Sequence, residues 1–180
     1  ADLPLEDDPI GPVRAVGPSA GLLLRGDAAP PPRTLIDILT DTARRYPDAS
    51  ALEDAAGALS YRELLARVWA GAARLHESGV SRGDRVGVRM SSGTRELYLA
   101  ILSVLAAGAA YVPVDVDDPE ERAELVFGEA AVRAVLTDAG LQVHGEARPQ
   151  PVFAAEAPHP STAAVPVVEP PTPEDDAWII

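Results

Sequence analysis

The sequence predicts an α/β fold, a mostly parallel sheet with crossover helices. Three strand-like apolar segments, at residues 85–90, 110–114 and 133–137, are separated by two helix-like segments. Gly93 and Gly108 lie at turns between these segments. The order strand, helix, strand, helix, strand requires two crossover connections on one sheet, each expected to be right-handed. At 180 residues the chain is long enough for one domain with a substantial core.

A helix and a hairpin precede these segments. Thr34, followed three residues later by Asp37, has the pattern of a capping box, and Pro47 ends the helix that it opens. The apolar face predicted for this helix consists of Leu35, Ile38, Leu39, Thr42 and Tyr46. Residues 51–53 and 58–60 then predict a short hairpin.

A second helix begins at Ser60, which forms a clearer capping box with Glu63. Its predicted apolar face consists of Tyr61, Leu64, Leu65, Val68, Trp69, Ala72 and Leu75. Gly79 fits the left-handed residue that ends many helices. His76, in the last turn, fits the negative end of the helix dipole better than it fits a catalytic role.

The uncharged stretch of residues 97–114 reaches the nominal length of a transmembrane helix. Gly108 and Pro113 interrupt it, so we predict instead a helix that ends at Ala107, buried on several sides, and then a strand. The next helix is predicted to have Asp118 as its N-cap and Pro119 at its first position.

Composition divides the chain into a leader and a folded part. Residues 1–33, rich in Pro, Gly and Asp, are predicted to be a leader or linker that is mostly disordered or lies across a neighbouring surface. Residues 34–180 form the predicted α/β part. Within it, residues 143–174 are predicted to be a Pro-rich surface connection, and residues 177–180 the start of a further buried strand. Because the chain stops in this apolar segment, we expect it to be cut inside a core element.

Charge and composition exclude several classes of function. A net charge of −13 repels nucleic acid and anionic membrane surfaces, so we expect neither as a partner. Without cysteine the chain has no disulfide and no thiolate zinc site, which suits a cytoplasmic protein. All 15 basic residues are Arg, so the chain offers no lysine for phosphate binding or catalysis.

Two polar segments are candidates for ligand binding, and both are better explained as structure. Residues 91–94, Ser-Ser-Gly-Thr, resemble an anion-binding turn but lack the glycine density of nucleotide loops. The carboxylates between Asp115 and Glu121 are ligands that Mg²⁺ prefers and candidates for acid–base chemistry, yet a helix start also calls for acids. We therefore assign no catalytic, no cofactor-binding and no metal-binding residue.

A resemblance to a known family rests on two stretches of sequence. Residues 102–115, LSVLAAGAAYVPVD, followed by Pro119 and Arg122, resemble the second core motif of nonribosomal peptide synthetase adenylation domains, which belong to the adenylate-forming, AMP-dependent synthetase-ligase superfamily. Residues 59–64, LSYREL, resemble the first core motif of that family. The resemblance covers residues 34–138 and 175–180.

The resemblance implies that the chain is the N-terminal subdomain of an adenylate-forming ligase, truncated before the phosphate loop. The parent would be an ATP-dependent amino-acid adenylating ligase of antibiotic or other secondary-metabolite biosynthesis. It would use ATP and Mg²⁺ to form an aminoacyl adenylate and then load the phosphopantetheine of a carrier domain. The partners of the chain would be that carrier domain and the remainder of the adenylation domain. The chain alone would bind no cofactor and be inactive.

Several alternatives stay open at this point. Residues 115–119, DVDDP, depart from the usual Asp-Pro-x-Tyr-Pro of the family, which fits a divergent branch such as the membrane-linked homopoly(amino acid) synthetases. An acyl-CoA synthetase-type carboxylate–CoA ligase belongs to the same superfamily. A short, non-catalytic binding module with this fold is a further alternative. The apolar segment from Trp178 to Ile180 also predicts weak self-association through an open strand edge.

Overall fold

The computed structural model describes residues 31–143 and 169–179. Most of the predicted leader, residues 1–33, and of the predicted connection, residues 143–174, lies outside these ranges, so both stay predictions. The described residues form four helices and six strands. In chain order these are α1 (Leu35–Arg45), β1 (Ser50–Asp54), β2 (Gly57–Ser60), α2 (Tyr61–Glu77), β3 (Arg85–Arg89), α3 (Arg95–Ala106), β4 (Ala110–Pro113), α4 (Glu120–Glu129), β5 (Ala134–Thr137) and β6 (Gly140–Val143).

Helices α1 and α2 begin at the predicted capping boxes. Thr34 Oγ1 accepts the Asp37 amide at 3.0 Å, while Asp37 Oδ2 accepts the Thr34 amide at 2.9 Å. Ser60 and Glu63 repeat this arrangement at the start of α2. Backbone hydrogen bonds from the two cap residues hold the pKa values of Asp37 and Glu63 below their ordinary range. Gly79, with a φ of +85°, follows the end of α2 as predicted.

Helix α1 buries a face that shares only Leu39 with the predicted one. Leu35, Ile38 and Tyr46 are exposed, at 52%, 43% and 62% of their surface. The buried residues are Ile36, Leu39 and Ala43. The prediction is wrong because it followed the bulky side chains, whereas α1 packs against α2 and α3 through a face that includes a small residue, Ala43. The face predicted for α2 does lie against the core.

The main sheet confirms the predicted α/β class. Its strand order is β4–β3–β5–β6, and β3 is parallel to both β4 and β5. Val86 of β3 lies opposite Tyr111 of β4 and Ala134 of β5. The sequence did not predict β6, which pairs antiparallel with β5 in a hairpin that includes Gly140. Strands β1 and β2 form the predicted hairpin as a separate sheet.

Helices cover both faces of the main sheet. Val86 and Val88 of β3 lie in the core that also contains Leu99 of α3. Gly87, between them, faces the other side, where an added Cβ would come within 2.8 Å of the Phe127 ring of α4. The chain moves from β3 to β4 on one side of β3 and then crosses to β5 on the other. Right-handed connections in opposite directions place their helices on opposite faces, as observed.

The core lies between the main sheet and the pair of helices α2 and α3. Its largest fully buried side chains include Leu75, Leu99, Leu136, Leu141, Val68, Val86 and Val104. The uncharged stretch of residues 97–114 forms the buried helix and the strand that the sequence predicts. Within residues 31–143 and 169–179, no helix combines the length and the apolar character needed to cross a membrane.

Candidate functional site

The carboxyl ends of β3 and β4 form the candidate site. These strands are neighbours, and the helices that follow them, α3 and α4, lie on opposite faces of the sheet. In open α/β sheets a crevice forms at such a point, and ligands bind there. At this edge of the sheet, residues 91–94 after β3, residues 114–119 after β4 and Asp138 after β5 are the segments that would border such a crevice.

The turn of residues 91–94 is held by carboxylates of the chain itself. Asp138 accepts hydrogen bonds from the Ser91 amide at 3.2 Å and from the Ser91 hydroxyl at 2.7 Å. Asp54 accepts the Arg95 amide at 3.2 Å, and this bond is the main cause that lowers the Asp54 pKa. Thr94 caps α3 through its hydroxyl. Amides to which an anion would bind already face oxygens of the chain, which supports the interpretation as an ordinary strand-to-helix turn.

Two of the carboxylates between residues 115 and 121, those of Asp115 and Asp118, form local hydrogen bonds. Asp115 Oδ1 accepts the Asp117 amide at 2.9 Å, which forms an Asx turn. Asp118 Oδ2 accepts a hydrogen bond from Arg122 Nε at 3.1 Å. In the part of the chain that the structure describes, no three carboxylate or imidazole groups converge as they would around a metal ion.

Helix α4 begins one residue later than predicted. Its first residue is Glu120, and its N-cap is Pro119, which makes no side-chain capping bond. The carbonyl of Pro119 accepts the amides of Arg122 and Ala123, at 3.0 and 3.2 Å, so the helical hydrogen bonds start there. Asp118, the predicted N-cap, binds the Arg122 side chain instead, so the N-cap prediction is wrong.

Arg89 bridges the crevice from the last position of β3. Its guanidinium donates to the carbonyl oxygens of Val116 and Asp118, at 3.4 and 2.7 Å, and pairs with Glu120. The side chain is 17% exposed, and its buried Nε has no partner among the residues described. Arg89 shares a strand face with Gly87, so it points to the side of the sheet that α4 covers. Arg89 was not predicted from the sequence. The available signal was the alternation of side chains along β3, which places Arg89 on the same face as Gly87.

The outer edge of β4 carries the segment that the sequence predicts to be a further strand. The Ala177 carbonyl accepts the Tyr111 amide at 3.0 Å, and the Ile179 amide donates to the Tyr111 carbonyl at 3.1 Å. These two bonds place Trp178 in a parallel bridge with Tyr111. Residues 177–179 therefore extend the parallel part of the sheet beyond β4.

Comparison with known proteins identifies a family. Residues 39–179 match the family described as AMP-binding enzyme. A syringomycin synthase of Pseudomonas syringae pv. syringae is 38% identical over 105 residues, which cover 58% of this chain and 17% of that protein. Tyrocidine synthase 3 of Brevibacillus parabrevis is 39% identical over 108 residues, which cover 60% of this chain and 2% of that protein. The chain thus spans only a small part of the length of these relatives.

Solved structures agree with the family match. The N-terminal subdomain of NpsA from Klebsiella oxytoca, in complex with 3-hydroxybenzoyl-AMSN, is 31% identical with a TM-score of 0.56, over 59% of this chain and 26% of that chain. NpsA-ThdA, an artificially fused adenylation-PCP di-domain from the same organism, has a TM-score of 0.56 and 31% identity over 59% of this chain and 20% of that chain. The predicted likeness to the N-terminal subdomain of an adenylate-forming ligase is confirmed. The chain belongs to the AMP-binding enzyme family, as a relative of nonribosomal peptide synthetase adenylation domains.

Proposed function

We propose that this chain forms the N-terminal α/β part of an adenylation domain that activates an amino acid. The family match over residues 39–179, joined by the likeness to the NpsA N-terminal subdomain, carries the proposal. In the proposed reaction the carboxylate of the amino acid attacks the α-phosphate of ATP, which gives an aminoacyl adenylate and releases pyrophosphate. The aminoacyl group then passes to the phosphopantetheine thiol of a carrier domain, a partner that the adenylation-PCP fusion supports.

The contribution of the chain itself is to build and orient this part of the domain. At the crevice, Asp54 and Asp138 bind the backbone around the start of α3, and Arg89 binds the loop before α4. These groups do not fit ATP: the carboxylates would repel its phosphates, and the guanidinium groups of Arg89, Arg95 and Arg122 already pair with Glu120, Glu96 and Asp118. We therefore assign ATP and Mg²⁺ to other parts of the parent enzyme, and no catalytic, cofactor-binding or metal-binding residue to residues 1–180.

The proposed organisation follows the sequence. Residues 1–33 act as a leader or linker, residues 34–180 as the α/β part, and residues 143–174 as a surface connection that delivers the chain to the strand at residues 177–180. The remainder of the adenylation domain continues from this strand into the phosphate loop. The absence of cysteine and a net charge of −13 support a cytoplasmic location without nucleic-acid or membrane binding.

Self-association of the isolated chain is proposed as well. Trp178 is 58% exposed and lies on the segment that forms the outer edge of the described sheet. An open strand edge with an apolar side chain favours pairing with a second copy. Light scattering should show a weight-average mass that rises with concentration, and a strict monomer at high concentration would contradict this part of the proposal.

ATP–pyrophosphate exchange tests the proposed function. A parent enzyme that contains this chain should exchange labelled pyrophosphate into ATP only when one or a few members of an amino-acid panel are present. The 180-residue chain alone should give background exchange, and exchange above background would contradict its role as a part without an active site. AMP release by the parent that requires coenzyme A would instead support a carboxylate–CoA ligase. A parent with neither activity would support a non-catalytic module.

A further inference from the structure

Arg82 forms a two-pronged ion pair with a residue far away in the sequence. Its Nε donates to Asp175 Oδ1 at 2.9 Å, and its Nη2 donates to Asp175 Oδ2 at 2.7 Å. Nη2 also donates to Thr172 Oγ1 at 2.8 Å, and Nη1 lies 3.8 Å from Glu169 Oε2. The Asp175 side chain is only 19% exposed. Bidentate pairs of this kind fix geometry as well as supply energy, because the planar guanidinium matches both carboxylate oxygens.

The Asp175 carboxylate is oriented by hydrogen bonds within its own turn as well as by Arg82. Asp175 Oδ2 accepts the Thr172 amide at 2.7 Å, and the Asp175 amide donates to the Thr172 carbonyl at 3.1 Å. These bonds close a tight turn that presents the carboxylate. Hydrogen bonds from Arg82, which is the larger cause, and from the Thr172 amide hold the pKa of Asp175 below its ordinary value.

The arginine end is held equally closely. The turn that contains Arg82 is closed by the Ser81 amide, which donates to Asp84 Oδ2 at 2.7 Å. The stem of Arg82 lies on Gly108, where an added Cβ would come within 3.0 Å of Arg82 Cγ. The Gly83 amide donates to the Gly108 carbonyl at 2.9 Å. Arg82 is therefore fixed relative to the residues that begin β4.

Two backbone hydrogen bonds connect the ion pair to the strand pairing at Tyr111. The Ala110 amide donates to the Asp84 carbonyl at 2.9 Å, and the next amide, that of Tyr111, donates to Ala177 two residues after Asp175. Sliding the segment by two residues along β4 would move the carboxylate about 6.6 Å from its place, well beyond hydrogen-bond reach of Arg82. Sliding it by one residue would turn its side chains to the other face of the sheet.

We propose that Arg82 is a positioning residue whose ion pair with Asp175 sets the register in which residues 177–179 join β4. Within residues 31–143 and 169–179 the parallel pairing consists of the single bridge between Tyr111 and Trp178, which carries little register information of its own, and the ion pair supplies it. Where the adenylation function proposed above holds, the same pair aligns the strand that leads into the phosphate loop.

Hydrogen exchange of the 180-residue chain tests this proposal without any assay of activity. In Arg82→Gln and in Asp175→Asn, the amides of Tyr111 and Ile179 should exchange about tenfold faster or more, because a charged hydrogen-bond pair is lost. Arg82→Lys, which keeps the charge but not the two-pronged geometry, should lie between Arg82→Gln and the unmodified chain. The double variant should exchange no faster than either single variant, because all three lack the same pair.

Two controls keep the test specific. Amides of the buried helix α3, such as that of Val104, should keep their protection in every variant, which shows that the core is still folded. Arg62→Gln breaks the surface pair with Asp48 and should leave Tyr111 and Ile179 unchanged. Unchanged exchange of Tyr111 and Ile179 in Arg82→Gln, or effects of the two single variants that simply add, would overturn the proposal. Either result would leave pyrophosphate exchange by the parent as an independent test of function.

Discussion

At the carboxyl end of the main sheet, Asp54 and Asp138 bind backbone groups of a neighbouring turn, whereas at the amino end Arg82 binds a side chain 93 residues away. Ser91 and Asp138 lie in loops that follow the adjacent strands β3 and β5, and Asp54 ends β1 of the separate hairpin, which packs near the start of α3. The amino-end contact joins the turn before β3 to the segment of residues 169–179, which the fold of residues 31–143 does not by itself place. Charged residues of the same types thus serve the stability of the core at one end and the path of the chain at the other.

Gly87→Ala should have the largest effect, because it disturbs the sheet face between the two ends. The new Cβ would lie 2.8 Å from the Phe127 ring, and such overpacking costs about 1 to 3 kcal/mol of unfolding free energy. Urea denaturation measures the loss. Gly128→Ala is the matched control. Gly128 follows Phe127 in α4, and no atom lies within 4 Å of its added Cβ, so this variant should be neutral or slightly stabilising. Equal stability of the two variants would contradict the placement of α4 on this face.

Thr94→Ala tests the carboxyl end and should have an intermediate effect. It removes the hydroxyl that caps α3, which lowers the unfolding free energy by about 1 kcal/mol. Ser92→Ala, an exposed substitution in the same turn, should change stability by less than about 0.5 kcal/mol. Hydrogen exchange of the Tyr111 and Ile179 amides through local opening should be as slow in Thr94→Ala as in the unmodified chain. Selective loss of protection there would erase the distinction between the two ends.

Acid titration of the amino end should give the smallest effect on overall stability. The pKa of Asp175 is held below its ordinary value of 3.8, mainly by Arg82, so its contribution to stability is fully present above that value. As pH falls below 3.8 and through the lower pKa of the folded state, the carboxylate takes up a proton and the contribution is lost. The difference in stability between the unmodified chain and Asp175→Asn should therefore be constant above this window and shrink within it. A difference that grows as the pH falls would contradict the assignment.

The sequence predicts local features of this molecule well. The capping boxes at Thr34 and Ser60 depend on residues three positions apart, so the pattern and the contact coincide. The strands of the parallel sheet are apolar runs with a glycine turn before or after each one, at Gly83, Gly108 and Gly140, so they also follow from local preference. The family resemblance, carried by residues 59–64 and 102–115, extends these features to a fold and a class of enzyme.

Other features depend on neighbours that no local pattern reveals. The buried face of α1 was missed because Ala43 contributes little to a hydrophobic pattern yet allows close packing. Strand β6 is only four residues long, and its signal was the alternation of Leu141, Gln142 and Val143 after a turn. The pairing of Arg82 with Asp175 joins distant parts of the chain, so spacing offers no clue. For Arg89, the alternation along β3 indicates its face, but spacing offers no clue to its partners, two carbonyl oxygens after β4 and Glu120 at the start of α4.

We propose that the polar groups at the carboxyl end of the sheet stabilise the fold of this chain and bind no nucleotide. Titration of the isotope-labelled 180-residue chain with Mg²⁺-ATP, followed by backbone NMR, tests this proposal. We expect no saturable chemical-shift changes at residues 91–95, residues 115–122 or Asp138 at millimolar nucleotide. Saturable changes confined to these residues would contradict it and identify the crevice as a nucleotide site.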